Sequence, residues 1–134
     1  SAIIAQGEVM QLMTEGDLET SIDDYLKVIE SKTAALFAAA CEMGAVAADE
    51  QNLRQPMREF GNYIGIAFQL VDDVLDYSAN QEILGKTVGD DFREGKITLP
   101  VIIAYDAGDE EEKTFWNRCL ADMEQTPEDL QTAM

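Results

Sequence analysis

The chain has 134 residues, 46% of them hydrophobic, which suits a single domain with a modest core. It holds no histidine, which excludes the usual neutral-pH base and the commonest metal ligand, so any chemistry falls to carboxylates, lysines, hydroxyls or amides. Nine basic against 27 acidic side chains give a net charge of -18, a field that repels nucleic acid, anionic membranes and, unless cations intervene, phosphorylated substrates.

The pattern is helical nearly throughout, with prolines only at Pro56, Pro100 and Pro127 and no alternating β-branched segment. A first helix is predicted over residues 2–13, ending at Thr14-Glu15-Gly16-Asp17. Ser21 reads as the cap of a second helix that places Ile22, Tyr25, Leu26 and Ile29 on one face. At Lys32 and Thr33 the composition turns to small apolar residues, continuing to about Ala48. A longer helix is predicted over residues 52–77, then a loop over residues 78–91 containing Gly85 and Gly89. A short apolar helix over residues 97–105 and two acidic surface helices complete the chain. In the last of these Thr126 is expected to cap and Pro127 to take the first helical position. No internal repeat or low-complexity linker interrupts the pattern, so the expectation is one all-helical domain, 1–134.

Other features read as structural. Cys41 and Cys119 are far apart and lack metal-ligand spacing. Cys41 is expected in the core, and a reducing cytoplasm is the expected location. The longest apolar run, residues 34–41, is too short to span a bilayer, and no basic segment of a signal peptide opens at Ser1. Met10, Met13, Phe37, Met43 and Phe68 recur at helical spacing and are expected to pack in the core, with Phe37 and Phe68 as candidates for an apolar tunnel wall. Phe115 and Trp116 should anchor their acidic helix, and the acidic residues from Asp106 onward read as a solvated face.

The most informative segment is residues 60–76, FGNYIGIAFQLVDDVLD. At about 100° per residue, Asn62, Gly65, Gln69, Asp72, Asp73 and Asp76 share one narrow arc with Gly61 at its edge, and the remaining positions are almost all apolar. A surface helix shows the opposite pattern, one apolar stripe and a broad polar face. The expectation is therefore a buried helix whose carboxylates face an internal cavity, with the ridge glycines keeping space open beside them. Like charges removed from water need a compensating cation. An all-oxygen donor set points to Mg²⁺, with Asp72, Asp73 and Asp76 as the candidate ligands. The alternative is a structural network in which lysine or arginine neutralises the ridge.

Residues 85–100, GKTVGDDFREGKITLP, gather Lys86, Arg93 and Lys96 within a short span. This cluster is either an anion-binding patch opposite the aspartates or a set of surface pairs with Asp90, Asp91 and Glu94. Periodicity leaves both open.

The stretch GIAFQLVDDVLDY followed by GKTVGDDFREGKITLPVI resembles the second aspartate-rich region of the trans-polyprenyl diphosphate synthases. GEVMQL at residues 7–12 and KTAALFAAACEMGA at residues 32–45 resemble two further motifs of that family, in the same order. The likeness covers roughly residues 2–105 and is greatest to the long-chain branch that makes octaprenyl to decaprenyl diphosphates for quinone side chains. It implies an all-α, isoprenoid-synthase-type helical bundle, of which only the C-terminal half is present.

The family's roles carry over to matching positions. Asp72 resembles the carboxylate that holds one Mg²⁺ of a trinuclear cluster, and Asp73 and Asp76 complete its motif and water shell. Lys32 and Lys86 resemble the lysines that grip the allylic diphosphate, and Lys96 a lysine near the active-site mouth. Thr33 and Gln69 resemble the oxygens placed near the developing allylic cation. The resemblance implies condensation of isopentenyl diphosphate onto an allylic diphosphate, with the released diphosphate taking the proton, by an enzyme that is a homodimer in its full-length form. The family's first aspartate-rich motif is not in this sequence, so the 134-residue chain alone is expected to be inactive. A non-catalytic regulatory subunit of the same family, or a class I terpene cyclase, is the alternative.

Overall fold

The computed structural model describes residues 2–78 and 80–134, and the side chain of Leu84 also lies outside the described set. Every regular element among the described residues is helical. In order they are α1 (Ala2–Thr14), α2 (Ile22–Ile29), a π-helical turn (Glu30–Ala34), α3 (Ala35–Ala47), a 3₁₀ turn (Gln51–Leu53), α4 (Arg54–Ser78), α5 (Gln81–Leu84), α6 (Asp90–Glu94), α7 (Leu99–Ala107), α8 (Glu110–Trp116), a second π-helical turn (Asn117–Ala121) and α9 (Asp129–Ala133). No helix among the described residues is long and apolar enough to cross a membrane.

Local chemistry explains most boundaries. The Ser21 hydroxyl accepts the Asp24 N–H at 3.1 Å, the capping contact expected of it. Pro56 sits in the first turn of α4, where its missing N–H costs nothing. Within the expected loop at residues 78–91, of which Ala79 is outside the described residues, an extra helical turn forms as α5. Asn80 caps it by accepting the Glu82 N–H, and Gly85 closes it at φ 72°. The apolar helix α7 begins at Leu99 rather than at residue 97, because Pro100 belongs in a first turn and Thr98 is extended at its N-terminus. Asp109 and Glu112 form a reciprocal capping box at the start of α8.

The expected cap of the last helix is a correction. α9 starts at Asp129, so Pro127 precedes it. The Asp129 carboxylate accepts the Thr126 N–H at 2.7 Å, instead of Thr126 and Pro127 opening the helix. Asp129 is buried and bidentate to Arg118, at 2.8 and 3.0 Å, so one acid of the stretch read as a solvated face is a structural group.

The described residues fall into two compact units, one formed by residues 2–12 and 26–70, the other by residues 13–25 and 71–134. In the first, Val28, Ile29, Ala34, Ala38 and Ala45 make the core. α3 and the first part of α4 approach to backbone contact. A Cβ on Gly65 would sit 2.6 Å from the Ala34 Cα, and one on Gly61 would sit 2.8 Å from the Ala38 Cα. These ridge glycines therefore do not hold space open; α3 fills it. Glu42 ties the same two helices from outside, at 2.9 Å from Arg54 and 2.8 Å from Arg58.

In the second unit Phe92 is fully buried against Phe115 and Trp116, with ring centroids 6.5 and 6.4 Å away. Val101, Ile102, Cys119 and Leu120 complete this core, and Gln125 donates to the Phe92 and Cys119 carbonyls at 2.7 and 2.9 Å. Trp116 anchors its helix as expected. The core placement of the methionines fails for Met13 and Met43, which are exposed, and Cys41 is only half-buried.

The expectation that α4 is buried nearly all round also fails. Gly61, Gly65, Asp73, Asp76 and Tyr77 are its buried positions, whereas Tyr63 is 69% exposed and Phe68 and Val71 are each 57% exposed. The polar ridge is the inward arc in both units. Small residues let a neighbouring backbone approach, and buried carboxylates are retained there by specific hydrogen bonds.

Candidate active site

In the second unit, each ridge carboxylate has a different environment. Asp72 pairs with Lys86, Nζ to Oδ1 2.6 Å, with both side chains 44% exposed. Asp73 is buried and accepts a hydrogen bond from the Tyr25 phenol of α2. Asp76 is buried and accepts the Asp91 backbone N–H at 2.8 Å, while its own carbonyl accepts the Gly89 N–H at 2.8 Å. The GDDF turn is thereby sewn onto the end of α4. The expected row of three enclosed carboxylates is thus uneven: two are buried and one stands at the surface with a lysine.

Asp91 joins this group. Its carboxyl is pushed up to about 6, first by burial and then by the charges of Asp76 and Asp73, with Lys96 opposing and Asp72 adding a smaller share. Lys96 lies 3.6 Å from Asp91 and 3.1 Å from Glu94, and Arg93 lies 2.9 Å from Asp90. All three basic residues are therefore in ion pairs with carboxylates. Arg93 and Lys96 take local acids, and Lys86 crosses to the ridge. Its hydrogen bond to Asp72 raises the Lys86 ammonium above its ordinary value, so it stays charged at neutral pH.

In the first unit, Lys32 and Thr33 lie in the π-helical turn, where the Ala35 N–H reaches back five residues to the Glu30 carbonyl. The Lys32 ammonium hydrogen-bonds Gln11 and lies 3.2 Å from Glu8, both on α1. Gly7 brings α1 close to this turn, since a Cβ there would sit 3.0 Å from the Lys32 nitrogen. Thr33 Oγ1 donates to Gln69 Oε1 at 3.1 Å, so two residues assigned related roles are hydrogen-bond partners.

Tyr25, Asp91, Glu8 and Gln11 were not among the expected site residues. Glu8 and Gln11 had a readable signal, because they stand one helical turn apart on the same face of α1. Tyr25 had none; it reads as one apolar-face residue among several. No group of three or more His, Cys, Asp or Glu among the described residues is arranged to hold a metal ion by itself.

A sequence model of the Polyprenyl synthetase family matches residues 1–134. The chain belongs to this family. An octaprenyl diphosphate synthase from Haemophilus influenzae is 52% identical over 103 residues, covering 76% of this chain and 31% of that protein. A polyprenyl synthase from Caulobacter crescentus CB15, solved in complex with calcium and isoprenyl diphosphate, is similar in structure with a TM-score of 0.92 and 48% identity, over 98% of this chain and 40% of that one. A decaprenyl diphosphate synthase from Rhodobacter capsulatus matches with a TM-score of 0.89 and 47% identity, over 98% of this chain and 41% of that one. The helical fold is thus that of a polyprenyl synthase, and the chain spans between about a third and two-fifths of the length of these relatives.

Proposed function

We propose that this chain is the C-terminal half of a Mg²⁺-dependent prenyltransferase that condenses isopentenyl diphosphate onto an allylic diphosphate, head to tail, giving a long all-trans-polyprenyl diphosphate for a quinone side chain. A homodimeric, cytoplasmic full-length protein belongs to the same proposal. The observation that carries it is the carboxylate group of the second unit. Four aspartates, Asp72, Asp73, Asp76 and Asp91, gather there, and burial first, then the charges of the other three, raises Asp91 well above its ordinary value, with Lys86 and Lys96 as the nearby cations.

That excess of negative charge and the purely oxygen donors fit Mg²⁺, which takes one or two protein carboxylates and leaves its other positions to water and phosphate. A three-carboxylate cage is not required for such a site. Asp72 and Asp76 would hold the ion, with Asp73 ordering its surroundings. Bound Mg²⁺ would supply Lewis-acid stabilisation of the departing diphosphate.

The chain's own residues do the rest. Lys86, half exposed and already beside Asp72, can exchange that partner for a diphosphate oxygen at little cost, since such surface pairs are worth at most about 1 kcal/mol. Lys96 and Lys32 are further diphosphate ligands in this reading. Thr33 gives its proton to Gln69, which leaves the hydroxyl lone pairs free to face the carbocation formed as the allylic carbon–oxygen bond breaks. No side chain need act as the base, because the leaving diphosphate can accept the proton.

The exposed apolar side of α4, with Phe60, Tyr63, Ile64 and Phe68, is in this reading covered by the remainder of the protein, and the 134-residue chain alone is inactive. The test is product analysis of the full-length protein with labelled isopentenyl diphosphate, an allylic diphosphate and Mg²⁺. A linear all-trans product supports the proposal. A cyclic hydrocarbon, or no turnover without a second, different subunit, refutes it.

A further inference from the structure

The ridge carboxylate farthest from solvent is held by a residue that neither the motif spacing nor the resemblance singled out. Tyr25 lies on α2, 48 positions before Asp73 in the chain, and donates its phenol O–H to Asp73 Oδ2. Donor and acceptor are each 4% exposed, so water has little access to either. A buried carboxylate must be paired, and the choice of partner decides its orientation. A tyrosine embedded in a core has two side-chain torsions and little freedom, so it fixes an acceptor more tightly than a lysine or a water would.

We propose that Tyr25 is a positioning residue of the carboxylate site: its phenol fixes Asp73, and divalent-cation binding in the presence of diphosphate depends on that contact. The inference rests on the assignment of Asp72, Asp73 and Asp76 to the metal site. Residues that orient metal-binding carboxylates change metal affinity by about 10–100-fold when altered.

Tyr77 provides the comparison. It is equally buried, one residue beyond Asp76, and its hydroxyl has no hydrogen-bond partner among the described residues. Tyr77→Phe therefore makes the same chemical change without removing a contact to the ridge.

The experiment titrates Mn²⁺ into the full-length protein with inorganic diphosphate, following free Mn²⁺ by electron paramagnetic resonance, alongside thermal melts. Tyr25→Phe should weaken Mn²⁺ binding by about tenfold, while Tyr77→Phe binds as the unmodified protein does. Equal Mn²⁺ affinity in Tyr25→Phe, with only its melting temperature lowered, overturns the inference and leaves the site assignment standing. An unmodified protein that binds no Mn²⁺ with diphosphate overturns both. Should Tyr25→Phe fail to fold, 3-fluorotyrosine placed at position 25 keeps the packing and the donor. Its fluorine resonance should shift when Mg²⁺ and diphosphate are added together, and an unmoved resonance overturns the inference.

Discussion

Lys86 Nζ and Asp72 Oδ1 are 2.6 Å apart, joining the GK of the loop to the first aspartate of the ridge while both side chains remain 44% exposed. An exposed pair of this kind contributes little to stability, about 0–1 kcal/mol. Lys86→Ala should therefore leave the melting temperature of the full-length protein nearly unchanged. If Lys86 grips diphosphate, the same variant raises the KM for the allylic substrate by roughly tenfold or more, a loss of about 1.4 kcal/mol per factor of ten. Unchanged kinetics would return Lys86 to the status of a surface ion pair.

Thr33 and Gln69 allow a sharper kinetic separation. They share a 3.1 Å hydrogen bond, and under the proposed function the Thr33 oxygen meets charge that develops only in the transition state. Thr33→Val keeps the shape and removes the oxygen. An interaction made only in the transition state, when lost, lowers kcat and kcat/KM together and leaves KM in place. The expected loss is roughly tenfold in kcat, measured by single-turnover kinetics. A rise in KM alone would assign Thr33 to substrate binding.

Gly61 and Gly65 should resist even the smallest enlargement. Gly61 would carry its Cβ into α3, within 2.8 Å of the Ala38 Cα, and Gly65 into the π-helical turn before it, within 2.6 Å of the Ala34 Cα. Alanine in a helix gains about 1 kcal/mol over glycine, whereas overpacking costs about 1–3 kcal/mol. The obstruction here is backbone, so the larger cost applies. Either Gly→Ala variant should unfold at lower denaturant concentration, and a stabilised Gly65→Ala would show that α3 can move away.

The Arg118–Asp129 pair sets an acid limit. Arg118 and the Thr126 N–H hold the Asp129 carboxyl well below its ordinary 3.8. A depressed folded-state value means that the unfolded chain binds its proton first. The stabilisation is therefore complete above about pH 4 and is lost as pH falls below it. Asp129→Asn should lower the melting temperature at pH 7 and remove part of the acid dependence below pH 4. Parallel melting curves for the two proteins across that range would contradict the assignment.

Sequence alone determined a good deal here. The helices, the Ser21 cap and the polar ridge of α4 all follow from local preferences, because capping, turn chemistry and helical period act over a few residues. The same local signals misplaced the starts of α7 and α9, where a proline and a reversed capping contact shifted the boundary by two residues.

Tertiary structure decided the rest. Periodicity states which residues share an arc but not whether that arc meets solvent, a neighbouring backbone or a carboxylate partner, and so it cast Gly61 and Gly65 as open space when α3 occupies it. Nor does it choose among cations. Lys86 reaches Asp72 while Arg93 and Lys96 turn to nearer acids, a division set by distances between segments apart in the chain. The Tyr25–Asp73 contact is the clearest case: a hydroxyl and a carboxylate 48 positions apart meet only because folding removes both from water and leaves each as the other's partner.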